Sequence, residues 1–109
     1  CEVSACLVGS ERCIRDRYKG SSKPVFFCGD MNSRPGSAAI NSILTKWEML
    51  SSTENTIPSN APTSCIDFIF RYRDAASVKV TGTHTMTRFH NGDVTKASDH
   101  LPVYADVVF

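Results

Sequence analysis

Pro24-Val25-Phe26-Phe27-Cys28-Gly29-Asp30-Met31-Asn32 is the stretch on which the reading of the fold turns. Its first five residues form an unbroken apolar run, the pattern of a short strand covered on both faces, as central or parallel strands are. The run gives way to Gly29-Asp30-Met31-Asn32, where the two-residue repeat of a strand sets the Asp30 and Asn32 side chains on one side. Gly29 leaves room there for a ligand or a backbone to come close. A carboxylate and an amide then face one spot, either as a chemical site or as an Asx-rich strand-to-loop turn.

Upstream, Val3, Leu7, Ile14 and Tyr18 recur at mostly helical spacing across Glu2 to Lys19, with Arg12, Arg15, Asp16 and Lys19 opposite them. This predicts an amphipathic helix weakened near Gly9 and stopped by Gly20-Ser21-Ser22. Downstream, Ser33-Arg34-Pro35-Gly36 makes a turn, and Ser37 is a suitable N-cap for a helix carrying Ile40, Ile43, Leu44 and Trp47 on one stripe. Residues 51–64 hold Pro58, Pro62 and many Ser, Thr and Asn, which predicts a loop long enough to have a binding role. Cys65 to Phe70 reads as a strand with Ile66, Phe68 and Phe70 on one face and Asp67 and Ile69 on the other. Val78 and Val80 mark a further strand, Asn91-Gly92 a turn, and Val103 to Phe109 a last β-rich run entered through Pro102.

The bulk properties exclude several classes of function. The 109 residues have room for one domain. Twelve Lys and Arg against eleven Asp and Glu leave a net charge of +1. No general field therefore holds the chain on a polyphosphate or an acidic membrane. The longest apolar stretches, Ala5 to Val8 and Val25 to Cys28, fall far short of the roughly 20 residues of a membrane span. Five cysteines without a Cys-x-x-Cys indicate neither a zinc knuckle nor a regular disulfide framework, and are expected to be reduced thiols. The compartment is not readable.

Two further groups carry chemistry. Ser98-Asp99-His100, just before Leu101-Pro102-Val103, sets a carboxylate beside an imidazole at the mouth of a strand, where a metal ligand and a proton-handling group can be presented together. Ser98 and Asp99 are equally able to cap a turn. Asp67 lies among large apolar residues, a costly place for a charge without a partner. An imidazole is the obvious partner, since the pair would fix its tautomer and favour its protonated form; backbone amides or an exposed edge are the alternative. His84 and His90 read as surface histidines, and Glu2, Glu11, Glu48 and Glu54 as solvated charges.

Taken in order, Gly29-Asp30-Met31-Asn32 with Pro35, Ile66-Asp67-Phe68-Ile69, and Ser98-Asp99-His100-Leu101-Pro102-Val103 closely resemble the Gly-Asp-x-Asn, Ile-Asp-Tyr-Ile and Ser-Asp-His motifs of the endonuclease/exonuclease/phosphatase family. That family includes pancreatic deoxyribonuclease, abasic-site endonucleases, neutral sphingomyelinases, inositol polyphosphate phosphatases and deadenylases. The resemblance implies an α/β (α+β) fold: the C-terminal half of a four-layer α/β sandwich, mostly antiparallel sheet with flanking helices, over residues 1–109. It also implies phosphoester hydrolysis by in-line attack of water, with Mg²⁺ or Mn²⁺ neutralising developing charge. Asp30 would position or deprotonate the water, and Asn32 would hold a phosphate oxygen or orient that water. His100 would stabilise the pentacovalent transition state, Asp67 would hold His100, and Asp99 would be a metal or electrostatic group.

The family's principal metal ligand is a Glu supported by an Asn and another His in the first half, and no Glu here has that context. The fragment alone is therefore expected to bind the metal poorly and to be inactive. Its uncovered sheet face would seek the N-terminal half or a second copy; the competing reading is a non-catalytic pairing or binding module. Thr56-Ile57-Pro58 resembles the Thr-Phe-Pro segment of sphingomyelinase-like members. With the near-neutral charge it favours a lipid or small phosphodiester substrate, nucleic acid remaining the alternative, for which Arg71, Arg73 and Arg88 are a candidate basic cluster.

Overall fold

The computed structural model describes residues 7–87 and 92–109, with the side chains of residues 12–87 and 92–109. In chain order the elements are α1 (Leu7–Tyr18), β1 (Phe26–Asp30), α2 (Ala38–Leu44), β2 (Trp47–Met49), β3 (Asp67–Tyr72), β4 (Lys79–Thr85), α3 (Val94–Ala97) and β5 (Val103–Val108). The strands form two antiparallel sheets, one in the order β1-β3-β2 and one made of β4 and β5. Helices and antiparallel strands together make an α+β fold, as the sequence predicts.

β3 organises the larger sheet because it is the central strand and sends every second side chain into the core. Phe68, Phe70 and Tyr72 are buried, and they meet Met31, Ile40, Ile43, Trp47 and Cys65 in one apolar core. Trp47 packs its ring 5.2 Å from that of Tyr72 and 5.5 Å from that of Phe27. Fully burying aromatic side chains of this size is the main source of stability available to so small a unit. The core thus fixes β3, and β3 carries Asp67 at its first position.

Several expectations are corrected. β1 is not a central or parallel strand covered on both faces: it lies at the edge of its sheet, antiparallel to β3, with Phe26 38% exposed and Cys28 exposed as well. The apolar run reads like a core strand, but only one of its edges is paired among the described residues. α2 ends at Leu44, so Trp47 is on β2 rather than on the helix stripe. The Ser37 cap holds, its Oγ accepting from the Ile40 N–H at 3.4 Å. α1 runs through Gly9 without a break; the predicted helical residues 2–6 lie outside the described residues. Cys13 is disulfide-bonded, against the expectation of reduced thiols, while Cys28 and Cys65 are free.

Arg71 does not join a surface cluster of arginines. Arg71 is buried, donating to the carbonyls of Tyr72, Ala75 and Ala76 and to Glu48 Oε2 at 2.9 Å. Glu48 is accordingly a paired group and not a free surface charge. A guanidinium whose terminal nitrogens are directed at three carbonyls and a carboxylate closes the turn after β3 and is buried away from any surface ligand. Arg88, His90, Glu2 and Glu11 lie outside the residues whose side chains are described.

Candidate active site

Three parts of the chain converge at one end of the larger sheet. Asp30 closes β1 and sits opposite Asp67, the first residue of β3. His100 belongs to the short segment leading into β5. β5 packs against β3, which carries the imidazole over the Asp67 carboxylate. His100 Nδ1 lies 2.8 Å from Asp67 Oδ2. A carboxylate only accepts, so Nδ1 is the donor and Nε2 is left facing Asp30 and Asp99. This partner raises the pKa of His100, the hydrogen bond to Asp67 being the largest cause and the charges of Asp67, Asp99 and Asp30 adding to it against desolvation.

Asp67 is itself held. Thr56 is wholly buried and its hydroxyl donates to Asp67 Oδ2 at 2.7 Å. The same oxygen therefore accepts from both Thr56 and His100, which fixes the carboxylate in position and direction. The loop that carries Thr56 also grips the histidine from its other side. The Leu101 N–H donates to the Thr56 carbonyl at 2.7 Å and the Ser59 N–H to the Asp99 carbonyl at 2.8 Å. The Ser59 hydroxyl donates to the Ser98 carbonyl at 2.6 Å. Residues 56–59 thus clamp both partners of the Asp67–His100 pair.

Asp30 is fixed differently. The Asn32 N–H donates to Asp30 Oδ1 at 2.8 Å, an Asx turn that leaves Oδ2 pointing across the site. Asn32 adopts φ 48°, one of the few non-glycine residue types that tolerate it. Gly29 has φ 145°, where any other residue is strained, but a Cβ built there meets nothing within 4 Å. Backbone conformation, rather than a close approach, requires this glycine.

The four charged residues expected at the site are brought together. His100 Nε2 lies 3.8 Å from Asp30 Oδ2 and 3.9 Å from Asp99 Oδ1. Both distances exceed a hydrogen bond and leave space for a bridging atom. Asn32 contributes its backbone N–H, and its exposed side chain lies at the rim. Sequence reading did not assign Thr56 and Ser59 to this site, although Thr56-Ile57-Pro58 was the one legible signal in that loop.

Ligand atoms of Asp30, Asp67 and His100 lie within 4.8 Å of one another, close enough to share one metal ion. Asp67 Oδ2 and His100 Nδ1 are already spent on each other. A hard cation such as Mg²⁺ prefers carboxylate oxygens and water, and commonly uses one or two carboxylates together with substrate phosphate oxygens. Asp30 and the 79% exposed Asp99 meet that requirement better than the hydrogen-bonded pair does.

The arrangement offers an acid on a rigid carboxylate support, a second carboxylate for water, and open oxygens for a cation. No curated protein and no solved structure gives a match to the chain. Residues 14–100 of the 109 match the model of the Endonuclease/Exonuclease/phosphatase family. The chain belongs to that family, a group of phosphoester hydrolases that typically work with a divalent metal.

Proposed function

We propose that this chain is the C-terminal half of a divalent-metal-dependent phosphoester hydrolase acting by in-line attack of water on phosphorus. The observation that carries the reading is His100: its Nδ1 is locked on Asp67 and its Nε2 lies 3.8 Å from the Asp30 carboxylate. Asp30 Oδ2 takes the proton of the attacking water, while the Asx turn through Asn32 holds Oδ1 still. His100, whose charged form the pairing with Asp67 favours, donates from Nε2 to a phosphoryl oxygen as negative charge builds there. Thr56 and Ser59 keep that imidazole from turning away. Asp99 with Asp30 would hold the metal, Mg²⁺ or Mn²⁺, which would supply charge neutralisation. Asn32 at the rim holds or orients a phosphate oxygen.

The half-domain reading is supported by β1, whose apolar residues Phe26 and Cys28 stand exposed on an edge strand. An open apolar edge calls for a covering partner. The N-terminal half, carrying the remaining metal ligands, is the partner proposed; a second copy is the alternative. A lipid or small phosphodiester substrate is favoured over nucleic acid because the net charge is only +1 and Arg71 is withdrawn into the fold.

The test is hydrolysis of bis-p-nitrophenyl phosphate with and without Mg²⁺, by this chain alone and by the chain joined to an N-terminal half of the family domain. Activity is expected only in the joined form, to require the metal and to vanish in Asp30→Ala. Silence of the joined form would sink the hydrolase reading and leave a binding module.

A further inference from the structure

At the end of β3 opposite Asp67 lies a second concave site. A cavity of about 410 Å³ opens between α1, the α2–β2 turn and the residues that follow β3. Arg15 and Lys19 line it from α1, Lys46 from the turn, and Arg73 from the chain just past Tyr72; Asp16 and Asp74 complete the charged rim. The five residue steps from Asp67 to Tyr72 span about 17 Å. The cavity and the active site are therefore separate places on one strand.

Two features distinguish this cavity from a solvated surface. Its four cations and two carboxylates give it a charge of +2, twice the +1 of the whole chain, so the rest of the chain sums to −1. The Lys19 and Lys46 side chains take part in no hydrogen bond or ion pair among the described residues, although Asp16 and Asp74 stand on the same rim. Lys19 and Lys46 are thus held near two further cations without a carboxylate on either, a repulsive cost that a bound anion offsets. The floor is rigid, because Tyr72 is 5% exposed and rests on Trp47. The positions are held as well: the Arg73 guanidinium donates to the Leu44 carbonyl at 3.3 Å and the Arg73 N–H to the Lys46 carbonyl at 3.0 Å.

We propose that this cavity binds a small phosphate ester bearing hydroxyl groups. The cations take the phosphate oxygens, with arginine suited to paired contacts and lysine to point charges. The carboxylates accept from hydroxyls, which a bare inorganic anion cannot offer. A polymer is disfavoured, since the cations close on one cavity of small-ligand size instead of tracking a line of phosphates, and Asp16 and Asp74 repel a strand crossing the rim.

Fructose 1,6-bisphosphate serves as the probe in titration calorimetry on the protein, with pyrophosphate and a short single-stranded oligonucleotide as comparisons. Saturable one-to-one binding of the sugar ester is expected, weakened at least tenfold in Lys19→Ala/Lys46→Ala and unchanged in His100→Ala. Both lysines are exposed and unpaired, so the double variant keeps its fold. Asp16→Ala/Asp74→Ala is expected to tighten pyrophosphate while narrowing the preference for the ester. The proposal is overturned by no binding of the ester, by binding that His100→Ala removes and the lysine variants retain, by equal affinity for pyrophosphate, or by an oligonucleotide that binds more tightly. None of these outcomes depends on the hydrolase reading, which rests on the other end of β3.

Discussion

Among the described residues, two carboxylate–histidine pairs of nearly identical chemistry lie within hydrogen-bond reach in unlike surroundings. Asp67 and His100 meet at 2.8 Å with side chains 18% and 28% exposed, whereas Glu54 and His84 stand 3.4 Å apart at 50% and 66%. The first pair is tied to the core through Thr56 and to the backbone of the loop at residues 56–59. The second is a carboxylate anchored by others: Glu54 Oε1 accepts from the Thr85 N–H at 3.1 Å and from the Ser52 hydroxyl at 3.1 Å, and His84 lies beside it. Both carboxylates are held from behind; what separates the two pairs is that the first is shielded from solvent and the backbone on either side of its histidine is bonded to the Thr56–Ser59 loop.

The strongest way to break the comparison is to remove each imidazole in the metal-supplemented form joined to an N-terminal half. His100→Ala should lower kcat by about 10²–10⁴-fold, the range for a positioned general acid or base. His84→Ala should leave kcat within about twofold, since a solvent-screened pair contributes little. Equal losses, or none in either, would dissolve the distinction. Asp67→Asn follows with a smaller loss, because the imidazole remains while its orientation and charge support are weakened; in that variant the His100 pKa, read by NMR, should fall back toward its ordinary value.

Much of this pair was legible in the sequence. Asp67 announces itself as a charge within an apolar strand, and Asp99-His100 stands at the entry to the last strand, so their types and approximate elements follow from alternation and turn chemistry. Their supports do not. Thr56 is one of many hydroxyl residues in a loop without periodicity, and nothing local reveals that its side chain is buried against Asp67, eleven positions further on. The same limit explains β1: five apolar residues look alike whether the strand is central or waits at an edge for another layer. Arg71 shows the converse, a cation whose exposure seemed safe until the turn after β3 wrapped three carbonyls around it.

Thr56→Val tests the support directly. It keeps the shape and removes the hydroxyl, costing about 1–3 kcal/mol of stability for the hydrogen bond lost at a buried site. A purely structural role would leave His100 unmoved; here the His100 pKa and kcat are expected to fall together, and Thr56→Ser to restore both. An unfolding midpoint that drops while the His100 titration and kcat stay put would confine Thr56 to the core.

The smallest expected effect concerns the direction in which each pair responds to pH. His100 has its pKa raised above 6.5, chiefly by the hydrogen bond to Asp67. Its contribution to stability is therefore complete below that ordinary value and is lost as pH rises through the raised one. Glu54 has its pKa lowered from 4.5, chiefly by the Thr85 N–H and then by Ser52, with His84 a lesser cause. Its contribution is present above 4.5 and is lost as pH falls through the lowered value. Denaturant unfolding across pH should then show Asp67→Asn flattening the stability profile on the side above 6.5 and Glu54→Gln flattening it below 4.5. Because Glu54 depends mainly on Thr85 and Ser52, His84→Ala should leave the acid limb almost unchanged; an acid limb that disappears with His84 would mean that the second pair is bound as the first one is.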